Sequence, residues 1–137
     1  MESNERARAE VQHLEGTAWQ SSRSFSPAVV TSGGRTVWLA GQTTLVDLEG
    51  KDITGQFEPQ ARTIFALINR TLERLGASLQ NMVTMTVFIN DPRNGDRFVQ
   101  IRNELFPHGN CPASALVTVS NLARPGCVIE IQGVAVI

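Results

Sequence analysis

The chain lacks a basic excess: twelve Lys and Arg stand against thirteen Asp and Glu, a net charge of −1. A surface that binds nucleic acid or anionic lipid needs concentrated positive potential. Here Arg62, Arg70 and Arg74 are interleaved with Glu58 and Glu73. The expectation is a protein with neither nucleic acid nor membrane as partner. Cysteine is scarce as well. Cys111 and Cys127 alone are too few for a disulfide-framed secreted domain. No stretch of about 18 apolar residues occurs, and residues 1–18 are too polar for a secretory h-region, so a cytoplasmic chain with reduced thiols is expected. Histidine is limited to His13 and His108. Neither sits at metal-ligand or triad spacing from other candidate residues, so no metal, no cofactor and no covalent serine chemistry is expected.

What is present suits one domain. The chain has 137 residues, 42% hydrophobic and 18% charged, enough for a packed core. Residues 1–17, rich in Glu, Arg and Ala, read as a flexible or helical arm, and residues 18–137 as the domain. Trp19 to Ser26 reads as an irregular lead-in. Ala28–Ser32 and Thr36–Ala40 are β-rich runs, and Gly33-Gly34 between them is a hairpin signal. It is no phosphate loop, because the Gly-Lys-Ser/Thr ending and a following helix are missing. Residues 46–55 read as a loop. In residues 57–75 the apolar positions Ala61, Ile64, Phe65, Ile68, Leu72 and Leu75 recur at three and four, one face of a helix, with Gly76 as its stop. Met82–Ile89 is a strand. Asp96–Phe106 is a second helix, closed by Pro107. Ser114–Val119 and Val128–Val136 are the last strands, with a turn at residues 121–126.

The order β-β-α-β-α-β-β predicts an α+β fold, a mixed sheet with two helices on one face. Such a sheet leaves its other face open. Ala115-Leu116-Val117 and Val134 to Ile137 carry apolar residues at successive positions, which predicts burial of both faces and therefore self-association.

Six segments then resemble the RidA/YjgF family, in its order, from about Phe25 to Ile137. They are Trp38–Thr43, Gln60-Ala61-Arg62, Leu75–Leu79, Val83–Asp91, Pro112-Ala113-Ser114 and Val128–Val136. The resemblance implies a chorismate-mutase-like fold and a homotrimer with small-molecule substrates in clefts between subunits. It also implies hydrolytic deamination of imino or enamine acids without a cofactor. In the deaminase branch an arginine after Pro-Ala grips the substrate carboxylate, and a glutamate on the last strand orients or activates water. The glutamate is kept as Glu130, but the arginine position holds Ser114, which has no guanidinium fork. Ala28 follows Pro27, where the family usually has an aromatic.

The candidate catalytic residue is Glu130, a carboxylate in an apolar strand, read either as a cleft acid or base or as an outward-facing residue. Ser114 either hydrogen-bonds a ligand or opens the pocket. Arg102 either replaces the missing cation from the second helix or is a solvated arginine paired with Glu104 or Asp96. Ser32 and Gly33 would offer backbone amides, while Gln42 and Phe88 would line the cleft. Arg23, Arg93 and Arg124 are further cations within possible reach, Arg124 reading better as a turn residue. Two readings stay open: a hydrolase or deaminase of a small enamine, imine or amino-substituted unsaturated acid, aminomuconate-type acids included, and a non-catalytic metabolite-binding or chaperone-like trimer.

Overall fold

The structure is a computed structural model and describes residues 8–137. Helix α2, Phe57–Glu73, forms on the expected apolar stripe: Ala61, Ile64, Phe65, Ile68 and Leu72 are all buried. Leu75 lies beyond its end and is 43% exposed, so the stripe stops one turn earlier than its spacing suggested. Helix α3, Gly95–Leu105, buries Phe98, Val99 and Ile101. Phe98 stacks on Phe65 with ring centres 6.0 Å apart, which locks the two helices together. A surface network of Glu58 with Arg62 and Arg97, and of Arg62 with Glu104, spans the same seam.

The sheet beneath them comprises β3 (Thr36–Trp38), β4 (Met82–Ile89), β5 (Ala113–Thr118) and β6 (Ile129–Val136) in the order β3-β6-β4-β5. β4 runs parallel to β5 and antiparallel to β6, so the sheet is mixed. Period-two alternation assigns its faces. Met85, Val87 and Ile89 of β4 and Ile129, Ile131 and Ala135 of β6 are buried in the core under the helices. Thr84, Thr86 and Phe88, with Glu130, Gln132 and Val134, occupy the other face, which no element of the chain covers fully. Ala115 and Val117 are exposed within one chain, and Trp38 is 80% exposed. Within a single chain the predicted burial of both faces is met at Ala135 and Val136, 0% and 4% exposed, and is not met at Ala115 and Val117.

Three readings of the sequence need correction. The arm is partly a strand: β1, Glu10–His13, pairs antiparallel with β2, Val29–Ser32, and residues 1–7 lie outside the described ones. Backbone pairing with β2 imposes a structure that the polar composition of the segment did not signal. Secondly, Gly33-Gly34 joins no hairpin. Both glycines have positive φ, as a primed turn requires, but β2 pairs with β1 while β3 pairs with β6. The glycines carry the chain from one sheet to the other. A Cβ on Gly34 would lie 2.6 Å from the Ile137 carbonyl oxygen and 2.7 Å from the Ala9 Cβ, so close approach of the two chain segments demands glycine there. Thirdly, the lead-in contains a helix, α1 (Ala18–Ser22). Thr17 and Gln20 form a reciprocal capping box, a Thr-x-x-Gln pattern legible in the sequence.

The remaining connections are pinned by one side chain. Gln60 is fully buried, donates from Nε2 to the carbonyls of Ile53 and Gly126, and accepts from the Val128 N–H at Oε1. It ties the long 46–55 loop and the start of β6 to α2. Replacing it as Gln60→Leu orphans the Val128 N–H and takes one of two hydrogen bonds from each carbonyl, which keep the Gln56 and Gly55 N–H groups, and should cost about 2 kcal/mol, read as a lower urea midpoint at fixed protein concentration.

Candidate functional site

Arg102 lies in the last turn of α3 with its side chain turned inward, 2% exposed. Its Nη1 donates to Ser114 Oγ at 2.6 Å and its Nη2 to the Arg23 carbonyl at 2.9 Å. The guanidinium carbon sits 5.0 Å from the Phe98 ring centre, a cation–π contact. Its Nε is buried and has no hydrogen-bond partner. Among the described residues Arg102 makes no ion pair, neither with Glu104 nor with Asp96, which bond Arg62 and Arg23 respectively. Burial lowers its pKa from the ordinary arginine value to about 10, with nearby Cys111 opposing and Arg23 reinforcing that change. At neutral pH it stays a cation, now close to Ser114, where the family resemblance placed a clamp arginine.

The group opens onto a cleft of about 310 Å³ walled by Trp19, Phe25, Val99 and Leu116, with Arg23 and Arg102 as its charged members. The helix α1 segment builds this cleft. Ser24 adopts a φ of 59°, a left-handed turn uncommon for a residue with a Cβ. Its buried hydroxyl donates to Asn103 Oδ1. Ser26 donates to the Cys111 carbonyl and bridges to Ala113, so the segment after the turn docks on the start of β5. Phe25 is thereby set edge-on to Trp19 at 5.9 Å. Trp19 remains 66% exposed.

Glu130 lies elsewhere. It pairs with Phe88 across β4 and β6, on the open face, whereas Ser114 pairs with Met85, whose side chain is in the core. Side chains opposite one another in a sheet share a face, so Glu130 and the Arg102–Ser114 pair occupy opposite faces of one sheet. The Glu130 carboxylate packs over Gly41, where a Cβ would come within 3.4 Å of both its oxygens. Gln42 exchanges backbone hydrogen bonds with Ile131, and its side-chain amide donates to the Thr43 carbonyl. Gly41, Phe88 and Glu130 thus form one patch on the open face, whereas Gln42 opposes Ile131, a core-face position. Ser32 and Gly33 join neither group: Ser32 opposes Glu10 in the smaller sheet, and both residues are exposed.

Of the other cations, Arg93 is exposed and bonded to Asp91, and Arg124 is an exposed turn residue. Cys111 and Cys127 are free and buried, facing the Pro107 and Thr44 carbonyls respectively, and burial raises the pKa of Cys111. His108 is exposed. No group of three or more metal-ligating side chains gathers among the described residues, and no described helix is long and apolar enough to cross a membrane. Sequence reasoning missed Trp19, Phe25 and Gly41. The first two were hidden in a stretch read as irregular, and Gly41 stood beside Gln42 in the Ala-Gly-Gln segment.

Residues 15–137 match the profile of a family described as Endoribonuclease L-PSP. The chain belongs to the RidA/YjgF family. It is 28% identical over 102 residues to a RutC family protein of Pyrococcus abyssi, covering 74% of this chain and 79% of that one. It is 26% identical over 104 residues to a 2-iminobutanoate/2-iminopropanoate deaminase of Dermatophagoides farinae, covering 76% and 80%. In structure it resembles a Rid-family protein of Yersinia pestis at TM-score 0.79, 24% identity and 95% and 99% coverage. A YjgF/YER057c/UK114-family protein of Mycobacterium tuberculosis matches at TM-score 0.62 and 25% identity, covering 93% and 100%. The chorismate-mutase-like α+β architecture expected from the six segments is the one observed.

An unpaired buried cation is a burden on the empty protein. Arg102→Met should leave the protein as stable, or more stable by about 1–2 kcal/mol. The sign with pH follows from the lowered pKa. The folded form sheds the Arg102 proton more readily than the unfolded chain, so the penalty is full below a pH of about 10 and fades above it. Urea-unfolding midpoints measured across that pH range read both variant and profile.

Proposed function

We propose that this chain is a cytoplasmic hydrolytic deaminase of small imino or enamine acids. It would anchor the substrate carboxylate on Arg102 and complete its site with the open sheet face of another copy in a homotrimer. The observation that carries this reading is the Arg102 guanidinium, buried without a carboxylate partner and with its Nε unsatisfied. Burying a charge is costly unless a counter-ion answers it, and a substrate carboxylate is such a counter-ion. Ser114, too short to clamp a carboxylate, instead holds the guanidinium by accepting from Nη1. The resemblance to a protein named as an imino-acid deaminase supports the reaction class.

The chemistry needs only water and a base. Glu130 takes a proton from water as the oxygen adds to the C=N carbon, and the nitrogen is protonated. The resulting carbinolamine collapses with C–N cleavage, giving ammonia and a 2-oxo acid. An enamine first takes a proton at its β-carbon to become the imine. Because Glu130 and Arg102 are on opposite faces of the sheet within one chain, the Glu130 that serves a given Arg102 would come from a neighbouring copy. The exposed Val117 and Trp38 fit such an association.

The separation of Glu130 from Arg102 favours a second reading, in which the assembly binds carboxylates without turnover. Ammonia release from freshly generated 2-iminopropanoate and 2-iminobutanoate decides between them. The expected outcome is turnover that Glu130→Gln lowers by about 10²–10⁴-fold in kcat and Arg102→Met lowers mainly through KM. Ligand-induced thermal protection without ammonia release would establish the binding reading. Light scattering should give three times the 15.0 kDa chain mass, and a monomer would sink the shared site.

A further inference from the structure

A second cavity, which the deamination chemistry leaves unused, lies against Phe25. It has a volume of about 270 Å³ and is walled by the link between β1 and α1, by α1, by the turn at Phe25 and by the loop between α3 and β5. Ligand pockets begin at roughly 300 Å³, so it has room for one compact molecule. Phe25 lines both this cavity and the Arg102 cleft. The polarity of the two is opposite. The Arg102 cleft is lined by Arg23 and Arg102 and by no acid. The second cavity is lined by no Arg or Lys, and with histidine counted as neutral its one formal charge is the Glu15 carboxylate. Both histidines of the chain, His13 and His108, are on its wall.

His13 makes this cavity more than a gap in the packing. Its Nε2 is buried and has no hydrogen-bond partner among the described residues. Native structures rarely leave a buried polar atom unanswered. Burial also lowers the His13 pKa, which holds the ring neutral at pH 7. In the Nδ1–H tautomer Nε2 then offers a lone pair. The rest of the polar wall offers acceptors as well. Glu15 makes no ion pair among the described residues, and the Ser21 hydroxyl accepts as readily as it donates. Leu14 and Phe25 supply apolar surface. A ligand matching this wall donates hydrogen bonds, carries positive charge and has a small apolar body. An ammonium group brings three donors to these three acceptors, and a cation beside an aromatic ring gains further. An anion would meet the Glu15 charge with no cation to offset it. A bare metal ion is not served either, since no three ligating side chains gather among the described residues.

We propose that the cavity against Phe25 is a binding site for a small primary ammonium ion with a compact aromatic or aliphatic body. Glu15, the His13 Nε2 and the Ser21 hydroxyl hold the ammonium, and the body lies against Phe25 and Leu14. The site stands apart from the Arg102 anchor, so it survives or fails independently of the deaminase assignment.

Benzylamine, a cation at neutral pH, and benzyl alcohol, its neutral counterpart of equal size, probe the charge directly. Calorimetry on the full-length protein should show benzylamine bound about tenfold more tightly, the size of one charge-assisted hydrogen bond. Glu15 is exposed, so Glu15→Gln leaves the fold intact, and it should lower that ratio at least about threefold. His13→Leu removes the unpaired nitrogen while keeping an apolar wall, and should weaken benzylamine at least about fivefold. Arg102→Met, which touches no wall of this cavity, should leave both affinities within about twofold of wild type. Equal affinity for the two probes, or a ratio that Glu15→Gln leaves unchanged, overturns the ammonium site. Benzylamine binding that disappears in Arg102→Met places the amine in the other cleft and overturns it too. So does the absence of benzylamine binding at millimolar concentration.

Discussion

A guanidinium buried with no carboxylate to answer it constrains everything around it. Arg102 reaches inward from the last turn of α3 and meets two other elements and its own helix: the Ser114 hydroxyl on β5, the Arg23 carbonyl at the end of α1, and the Phe98 ring one helical turn earlier. Each contact depends on another part of the structure being in place. The α1 carbonyl is presented because the capping box starts the helix at Thr17 and the left-handed turn at Ser24 ends it. Ser114 is presented because β5 runs parallel to β4 and turns Ser114 toward the helices. Phe98 is held by Phe65 of α2. The apolar core thus does more than hold the chain together. It keeps a charge in a place of low dielectric, where an incoming anion gains most from it.

The same arrangement leaves the site divided. The mixed sheet has one face under the helices and one face open, and Arg102 and Glu130 fall on opposite sides. Period-two geometry makes that division unavoidable: a strand cannot turn adjacent positions to the same face. A chemistry that uses both residues has to bring one sheet's open face to another copy's edge. This makes self-association and activity a single question in this fold. With Ser114 on β5, the cation of this cleft is carried by a helix, and a helix-borne side chain approaches across the cleft where a strand-borne one would rise from its floor.

How much was legible in advance divides along the range of the interactions. Helix α2 was readable because its apolar residues repeat at three and four, and the core could be named from them. The strand β4 was readable from its β-branched run. The Gly33-Gly34 hairpin misled because positive φ is a local property, whereas the partner of a strand is not: β3 found β6, almost a hundred residues away, and β2 found β1. Of the expected site residues, Glu130 and Phe88 pair across β6 and β4 and Gln42 bridges to Ile131, whereas Ser32 belongs to the smaller sheet with Gly33 directly after it.

By itself the sequence determined the class of fold, the two amphipathic helices, the absence of an arginine after Pro112-Ala113, and the presence of a carboxylate in an apolar strand. Those follow from residue type and periodicity, which act over a few residues. Whether Arg102 was a solvated surface residue or a buried cation was undecided, because a helix position five residues from Arg97 and two from Glu104 suits either. Only the tertiary structure decided it. The inward face of α3, the carbonyl at the end of α1 and the hydroxyl of β5 converge on one point, and that convergence belongs to the packing of three elements distant in the chain.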